Sequence, residues 1–261
     1  MLAEAIFTGT EMLLGQIVNT NAAFLGRELA AAGISLYRQV VVGDNLDRIR
    51  EAIAEARQRA DLVIVGGGLG PTEDDLSREA LAAALGLPLV EDPVARENVT
   101  RYFAARRRPM PASNLKQALL PAGARALDNP LGTAPGVFLE HEGKIYALLP
   151  GPPREFQPMV TERLLPLLEP YGARRQVILS RLLKIAGMGE SAVEEAVKDF
   201  LHGDNPTLAP LAQPGEVTLR LSARAGSPQA ARELIRPLEA AIRERLGEYI
   251  FGSDTDTLEG V

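Results

Sequence analysis

Cysteine is absent from the 261 residues, and histidine occurs only as His141 and His202. The first absence excludes disulfides, thiolate nucleophiles and zinc–sulfur sites. The second leaves too few imidazoles for a multi-histidine metal centre. Long apolar runs are missing as well, and none approaches the roughly 20 residues of a membrane span. The opening MLAEAIFTGTEMLLG has no basic stretch, and its apolar runs are short and interrupted by acids, so it does not read as a signal peptide. A cytoplasmic protein with no membrane partner is the expectation. Positive charge is scarce too: 28 Lys and Arg face 34 Asp and Glu, giving a formal charge of −6 and an isoelectric point near 5.2. That balance disfavours nucleic acid as the main partner, because phosphate backbones select basic surfaces. An acidic chain that handles a phosphorylated small molecule needs local compensation, from a metal ion or a few placed cations.

What is present is enough for a proper core, with 46% hydrophobic residues in a length suited to one large or two smaller domains. Strand and helix patterns alternate through the first two thirds. Residues 2–8 suit a buried strand, 20–32 a helix with Gly33 as its C-cap, 35–42 a strand, 46–59 a helix, 61–65 a strand and 76–85 a helix stopped by Gly86. Such alternation implies a parallel sheet covered on both faces, an α/β class. A helix near 93–107 ends in RRRP, where the arginines complement its dipole. From there to 135 the Pro, Gly and Asn content predicts loops. Strands follow at 136–140 and 144–149, then a rigid turn, LPGPPREF, with Pro153 opening a helix to about 168. Near EPYGARR the order changes to strand (176–186), helix (190–200), two strands with the second at 216–225, helix (229–246) and a short strand. This pattern predicts a separate small α+β domain, with a boundary near 172. The final FGSDTDTLEGV reads as a linker, and the chain as a fragment or a short version of a longer protein.

In an open parallel sheet, ligands bind beyond the carboxyl ends of the strands. Four strands here lead into TGTEMLLGQIVNTN, GDN, GGGLGPTEDD and PGPPRE, each combining Gly or Pro with oxygen-bearing side chains. The glycine run matches neither the G-x-G-x-x-G pattern, since position 71 is Pro, nor G-x-x-x-x-G-K-[ST]. Gly66, Gly67, Gly68 and Gly70 still free the backbone to approach an anion, and the helix that follows offers N–H groups and a positive dipole end. The same loop ends in Glu73, Asp74 and Asp75, which repel phosphate. Thr72, Asp74 and Asp75 could each cap the helix, but a cap needs one acid. The surplus points to a hard divalent cation held by Asp75 and neutralising a phosphate, with Asp74 and Asp44 as further candidate ligands, although spacing does not show that Asp44 and Asp75 are close. For Asp44 the simpler expectation is the N-cap of the helix from 46. Glu11 either joins the site or starts a helix. Gly67, Gly68, Leu69, Gly70, Thr72, Asn21 and Gly151 are candidates to hold substrate, and Lys116, Asn114 and Arg154 are candidate cations or donors for phosphate.

GTEMLLGQIVNTN, VVGDN, GGLGPTEDDLS, NLKQA, NPLGTAPG and LPGPPREF, in that order, resemble the CinA family (competence/damage-inducible protein A), and the likeness covers essentially the whole chain. The resemblance implies a molybdopterin-binding-like domain over 1–172, with the three-layer α/β fold and mostly parallel sheet of MoaB, MogA and MoeA proteins. It implies a KH-like α+β domain over 173–252 and a linker over 253–261. It further implies a metal-dependent hydrolase that splits the pyrophosphate bond of ADP-ribose, or a related nucleoside diphosphate sugar, into AMP and ribose 5-phosphate. A divalent ion (Mg, Mn or Co) is the implied cofactor, a nucleotide the implied small-molecule partner, and a homodimer the implied assembly. In the molybdopterin relatives an Asp after a GGTG…RD loop is central to nucleotide and metal chemistry; Asp75 is the matching position, and the acid after the second strand matches Asp44. Lys116 then joins Asp75 and Asp44 as a catalytic candidate. Leu69 stands where MoaB-type proteins have Thr, which favours the CinA branch. Full CinA proteins continue into a nicotinamide mononucleotide deamidase domain, which this sequence lacks, so deamidation is not carried over. In the second domain GMGES (187–191) puts an acid in the place of a backbone-clamping loop, and residues 171–250 balance 11 Lys and Arg against 10 Asp and Glu, so RNA binding is not expected. Two other readings use the same residues: molybdopterin binding with adenylyl transfer, and a non-catalytic nucleotide-sensing or scaffolding module.

Overall fold

The computed structural model describes residues 1–173, 176–213 and 215–257. They form two compact units, one of Met1–Leu29 with Ile34–Ala173, the other carrying the described residues from 176 onward. In the first unit the order is β1 (Leu2–Thr8), α1 (Thr10–Leu13), α2 (Thr20–Ala31), β2 (Ser35–Val42), α3 (Leu46–Arg59), β3 (Leu62–Gly66), α4 (Ser77–Leu85), β4 (Leu89–Glu91), α5 (Pro93–Ala105), β5 (Leu119–Pro121), β6 (Arg125–Leu127), β7 (Gly136–His141), β8 (Lys144–Leu149), α6 (Pro153–Pro158) and α7 (Leu165–Leu168).

The main sheet runs β2-β1-β3-β8-β7-β6. β2, β1, β3 and β8 are mutually parallel, and β7 and β6 are antiparallel additions at one edge. β3 and β8 are buried along nearly their whole length, as parallel strands covered on both faces must be. Alternation along β1 assigns the two layers. Ile6 joins a core with Ile49 and Ile53 of α3 and Leu81 of α4. Phe7, its neighbour, points the opposite way and meets the Phe156 ring of α6 at 6.1 Å between centroids. The result is a three-layer α/β/α unit. Because the chain leaves β1 for β2 on one side and returns to β3 on the other, a switch point falls between the carboxyl ends of β1 and β3.

Local chemistry accounts for most boundaries. Asn45 caps α3 by accepting from the Arg48 amide at 3.1 Å, and Ile49, Ile53 and Ala56 face inward at helical spacing. Asp92 caps α5, with Pro93 at its first position. Gly86 ends α4 in the left-handed region, with φ 67. Two expectations need correction. The stretch after α5 is not all loop: a 3₁₀ helix spans Ala112–Ala118, and β4 pairs with β5 and β6 with β7. Strands of three residues are too short to leave a periodic trace. The helix expected over 153–168 is not uniform either; at Pro158, which has no N–H to donate, it widens into a π-type turn over Met159–Leu164 before α7.

The second unit holds β9 (Val177–Ile185), α8 (Glu190–Val197), β10 (Thr207–Gln213), β11 (Glu216–Ala225), α9 (Pro228–Leu246) and β12 (Ile250–Ser253). Its antiparallel sheet, β10-β11-β9-β12, turns Leu183, Ile185, Val217, Leu219 and Leu221 towards Val193 and Val197 of α8 and Ile235 and Ile242 of α9. This is a two-layer α+β unit. The segment expected as a linker is in part built into it: Asp254 accepts from the Leu182 amide at 3.0 Å and pairs with Arg181. Residues 258–261 of that segment lie outside the described residues. No helix among the described residues is long and apolar enough to cross a membrane.

Candidate active site

The carboxyl ends of all four parallel strands open on one cavity of about 480 Å³. Thr8, Gly9 and Glu11 reach it from β1, Asp44 from β2, Gly67–Gly70, Thr72, Asp74 and Asp75 from β3, and Gly151, Arg154 and Glu155 from β8 and α6.

The glycine loop is held from its outer side by its carbonyls. Ser77 Oγ donates to Gly67 O at 2.7 Å and the Ser77 amide to Gly68 O at 3.1 Å. Arg78 donates to Leu69 O at 2.6 Å and Gly70 O at 3.0 Å, and Gln117 Nε2 adds a second bond to Leu69 O at 3.2 Å. In a planar trans peptide the N–H points opposite to the C=O. The amides of Gly68, Leu69 and Gly70 therefore turn away from α4, and none has an acceptor among the described residues. The loop is an inverted nest of donors, suited to an anion. Gly67 and Gly68 have φ of 104 and 66, and a Cβ on Gly68 would overlap Ser77 Oγ. The N–H of the first residue of α4 is spent on the loop, and the residues that line the cavity here are those of the loop itself.

Arg78 is fully buried and sits in the first turn of α4, where a cation opposes the dipole. Burial lowers its pKa, with Glu79 and Asp75 pulling in the other direction. The two loop carbonyls explain its position. Lys116 acts from the same outer side: its ammonium donates to Thr72 O at 2.8 Å and Asp75 O at 2.7 Å and faces Glu79 at 3.4 Å. It does not line the cavity, and neither does Asn114, whose buried amide donates to Gln117 at 3.0 Å. Both candidates are corrected from phosphate ligands to loop supports.

The acids do what capping would not. Leu76 precedes α4 with no side-chain cap, so neither Asp74 nor Asp75 caps it. Asp75 Oδ2 accepts from the Thr72 amide at 2.9 Å and from Thr72 Oγ1 at 2.5 Å, while Asp74 Oδ1 also meets Thr72 Oγ1. One hydroxyl proton cannot serve two carboxylates at once, and a neutral donor cancels no charge, so both acids leave negative charge at this turn. That hydroxyl bond and nearby Lys116 hold the Asp74 pKa below the usual aspartate value. Asp44 is not the α3 cap, since Asn45 fills that place; its Oδ2 accepts from Thr10 N at 2.8 Å and Thr10 Oγ1 at 2.9 Å. Among the described residues no hydrogen bond engages Oδ1 of Asp44 or Asp75, or Oδ2 of Asp74. Among the described residues no cluster of three or more carboxylates and histidines is gathered as a ready-made metal cage.

Glu11 both belongs to the first turn of α1 and lines the cavity. Arg154 stands at the rim, well exposed, 3.8 Å from Glu155. Asn21 lies outside this cavity, its Nδ2 donating to Gly151 O at 2.8 Å. Sequence reasoning missed Glu155, a buried carboxylate whose Oε2 accepts from Asn129 Nδ2 at 2.9 Å. Asn129 also accepts from the amides of Leu131 and Gly132, and a Cβ on Gly132 would overlap the Glu155 carboxylate. An acid in the first turn of a helix looks unremarkable, which is why PGPPRE did not single it out. Tyr102, Thr8 and Thr133 line the cavity as well, without a signal of their own. Glu11, Asp44, Asp74, Asp75 and Glu155 face Arg154 alone, so the cavity is strongly negative.

Comparison with known proteins agrees with this layout. The family described as a probable molybdopterin binding domain matches residues 4–170, and that of the damage-inducible protein CinA KH domain matches residues 180–252. A competence-damage inducible protein of Moorella thermoacetica is 83% identical over 261 residues, and a CinA-like protein of Kosmotoga olearia 48% identical over 262. The chain spans 63% of the length of each. The crystal structure of a CinA protein from Thermoplasma acidophilum, titled as of unknown function, matches with 38% identity and a TM-score of 0.59, covering 66% of this chain and 98% of that one. With a molybdopterin-binding-type α/β unit followed by a CinA-type KH unit, the chain belongs to the CinA family.

Proposed function

We propose that the cavity binds the diphosphate of ADP-ribose, or a related nucleoside diphosphate sugar, and that the chain is a metal-dependent hydrolase releasing AMP and ribose 5-phosphate. The observation that carries this reading is the meeting of unpaired amides and non-capping carboxylates in one cavity. Amides alone would suit an anion and carboxylates alone a cation. Together they suit an anion that arrives with a cation.

A hard divalent ion fits this donor set. Magnesium-like ions take one or two carboxylates and complete their shell with water and phosphate oxygens, so a three-carboxylate cage is not required. Asp44 and Asp75, with Asp74 beside them, would hold it through the oxygens left free. Such an ion, when bound, neutralises phosphate charge and lowers the pKa of a coordinated water. The chain's own groups do the rest. The amides of Gly68, Leu69 and Gly70 hold phosphate oxygens, while Thr10 and Thr72 fix the orientation of Asp44 and Asp75. Arg154 offsets charge on the departing phosphate. Glu155, held by Asn129, accepts a hydrogen bond from water and orients it. Positioning and charge neutralisation supply most of the rate in such a transfer.

Asp75→Asn tests this. Metal-dependent AMP release should fall by at least 100-fold with an unchanged urea midpoint, and wild-type turnover would refute the assignment. Molybdopterin binding is the second reading, favoured by the family match over residues 4–170. Competition between ADP-ribose and molybdopterin for the cavity separates the two.

A further inference from the structure

The four-stranded sheet of the second unit has an open edge beside an arginine-lined cavity. β11 pairs with β9 along its whole length, from Val177 to Ile185, whereas β12, on the other side, reaches only Leu183–Ile185. Asp254 carries that line one step further. Its amide donates to Leu182 O at 3.0 Å, and its Oδ1 accepts from the Leu182 amide at 3.0 Å. Backbone groups alternate in direction along a strand, so the N–H and C=O of Ser180 face the same side. Among the described residues nothing meets them there. An unpaired edge of this kind is a template for another strand.

Against this edge lies a cavity of about 460 Å³, lined by Leu179 and Ile235 together with Arg181, Arg232, Arg236 and Glu239. All its lining residues belong to the second unit. The acids there are already engaged: Asp254 pairs with Arg181, and Glu239 faces Arg181 at 3.4 Å and Arg243 at 2.9 Å. Arg232 and Arg236, both exposed, are left with neither an acid nor a carbonyl partner among the described residues. They stand one helical turn apart on α9, where like charges repel. Two such guanidiniums beside an open edge suit carboxylates brought by a partner.

We infer that this groove docks an extended acidic peptide, which adds to β9 as a strand in line with β12 and lays its carboxylates on Arg232 and Arg236. Asp254 supplies the precedent, since it takes an edge amide and an arginine together. Alternate residues of a strand lie about 6.6 Å apart and a helical turn rises about 5.4 Å, so acids at every second position match the two arginines. Main-chain bonds to the edge give such a complex its affinity, and the spacing of the acids gives its specificity.

Fluorescence anisotropy with a short labelled peptide alternating Glu and Val tests it, on the wild-type chain and on the double variant Arg232→Gln with Arg236→Gln, both changes at exposed positions. The peptide should bind the wild-type chain. Its affinity should fall at least fivefold when Gln replaces Glu, and at least fivefold in the double variant. N-methylation of every second peptide amide keeps the charges and blocks one edge of the strand; in one of the two possible frames it should weaken binding at least 10-fold. No binding at millimolar concentration, equal binding of the Gln peptide, affinity unmoved by the double variant, or indifference to both methylation frames would each overturn the inference. So would preference for a single-stranded RNA oligomer over the peptide, or self-association of the chain that excludes the peptide in sedimentation.

Discussion

Gly70→Ala isolates the role of the Asp75 carboxylate without touching the carboxylate itself. A Cβ on Gly70 would overlap Asp75 Oδ2 and lie 2.8 Å from its Cγ. Gly70 is not among the residues with positive φ, so the backbone itself accepts alanine and the clash falls on the side chain. To clear it the carboxylate must swing out and surrender the bonds from Thr72 N and Thr72 Oγ1, at 2.9 and 2.5 Å. Bonds to a charged group contribute about 1.5–3 kcal/mol each, and at an exposed turn the lower end applies. The loop should thus lose about 3 kcal/mol of local order, while global stability, set by the core beneath, changes by less than about 1 kcal/mol. Misplacing a ligand in this way typically costs about 10–100-fold in metal affinity. The assay pairs urea unfolding with calorimetric titration of magnesium or manganese, with Gly226→Ala as control, since nothing lies within 4 Å of a Cβ there. Metal affinity and turnover equal to wild type in Gly70→Ala would refute the reasoning.

Two other outcomes follow from the same geometry. Arg78→Met strips the buried donors from Leu69 O and Gly70 O; allowing for the relieved cost of burying the guanidinium, the urea midpoint should fall by the equivalent of about 2–4 kcal/mol. A shift under about 0.5 kcal/mol would mean that the loop carbonyls do not need it. In the second unit the bond from Arg245 holds the Asp199 pKa below the usual 3.8. A depressed carboxylate contributes stability above its unfolded pKa and loses it as pH falls through the folded value, so this pair should weaken only on acidification below 3.8. Carboxyl NMR titration should show Asp199 returning towards its ordinary value in Arg245→Ala, and an unmoved titration would refute the pairing.

Much of the first unit was legible because parallel strands leave unbroken apolar runs and amphipathic helices leave a period, as α3 does with Ile49, Ile53 and Ala56. The rule that ligands gather at the carboxyl ends of strands brought Asp44, Asp74, Asp75, Glu11 and Arg154 to one cavity from loops far apart in sequence. Direction was not legible. Nothing in NLKQA says that Lys116 reaches the back of the loop, or in DDLSRE that Arg78 turns inward, although a cation in the first turn of a helix was a signal. Between Asp44 and Asn45, either could cap α3; the choice depends on Thr10, 34 residues away in the chain. Glu155 depends on its contact with Asn129, made only by folding, and composition carries no trace of that.

The central claim is that a cation makes this acidic cavity accept a diphosphate. Titration of the wild-type chain with ADP-ribose, once in magnesium and once in EDTA, tests it most directly. The account predicts affinity at least 10-fold tighter with the ion, with the gain abolished in Asp75→Asn. Equal affinity in EDTA, or a gain that survives Asp75→Asn, would contradict it.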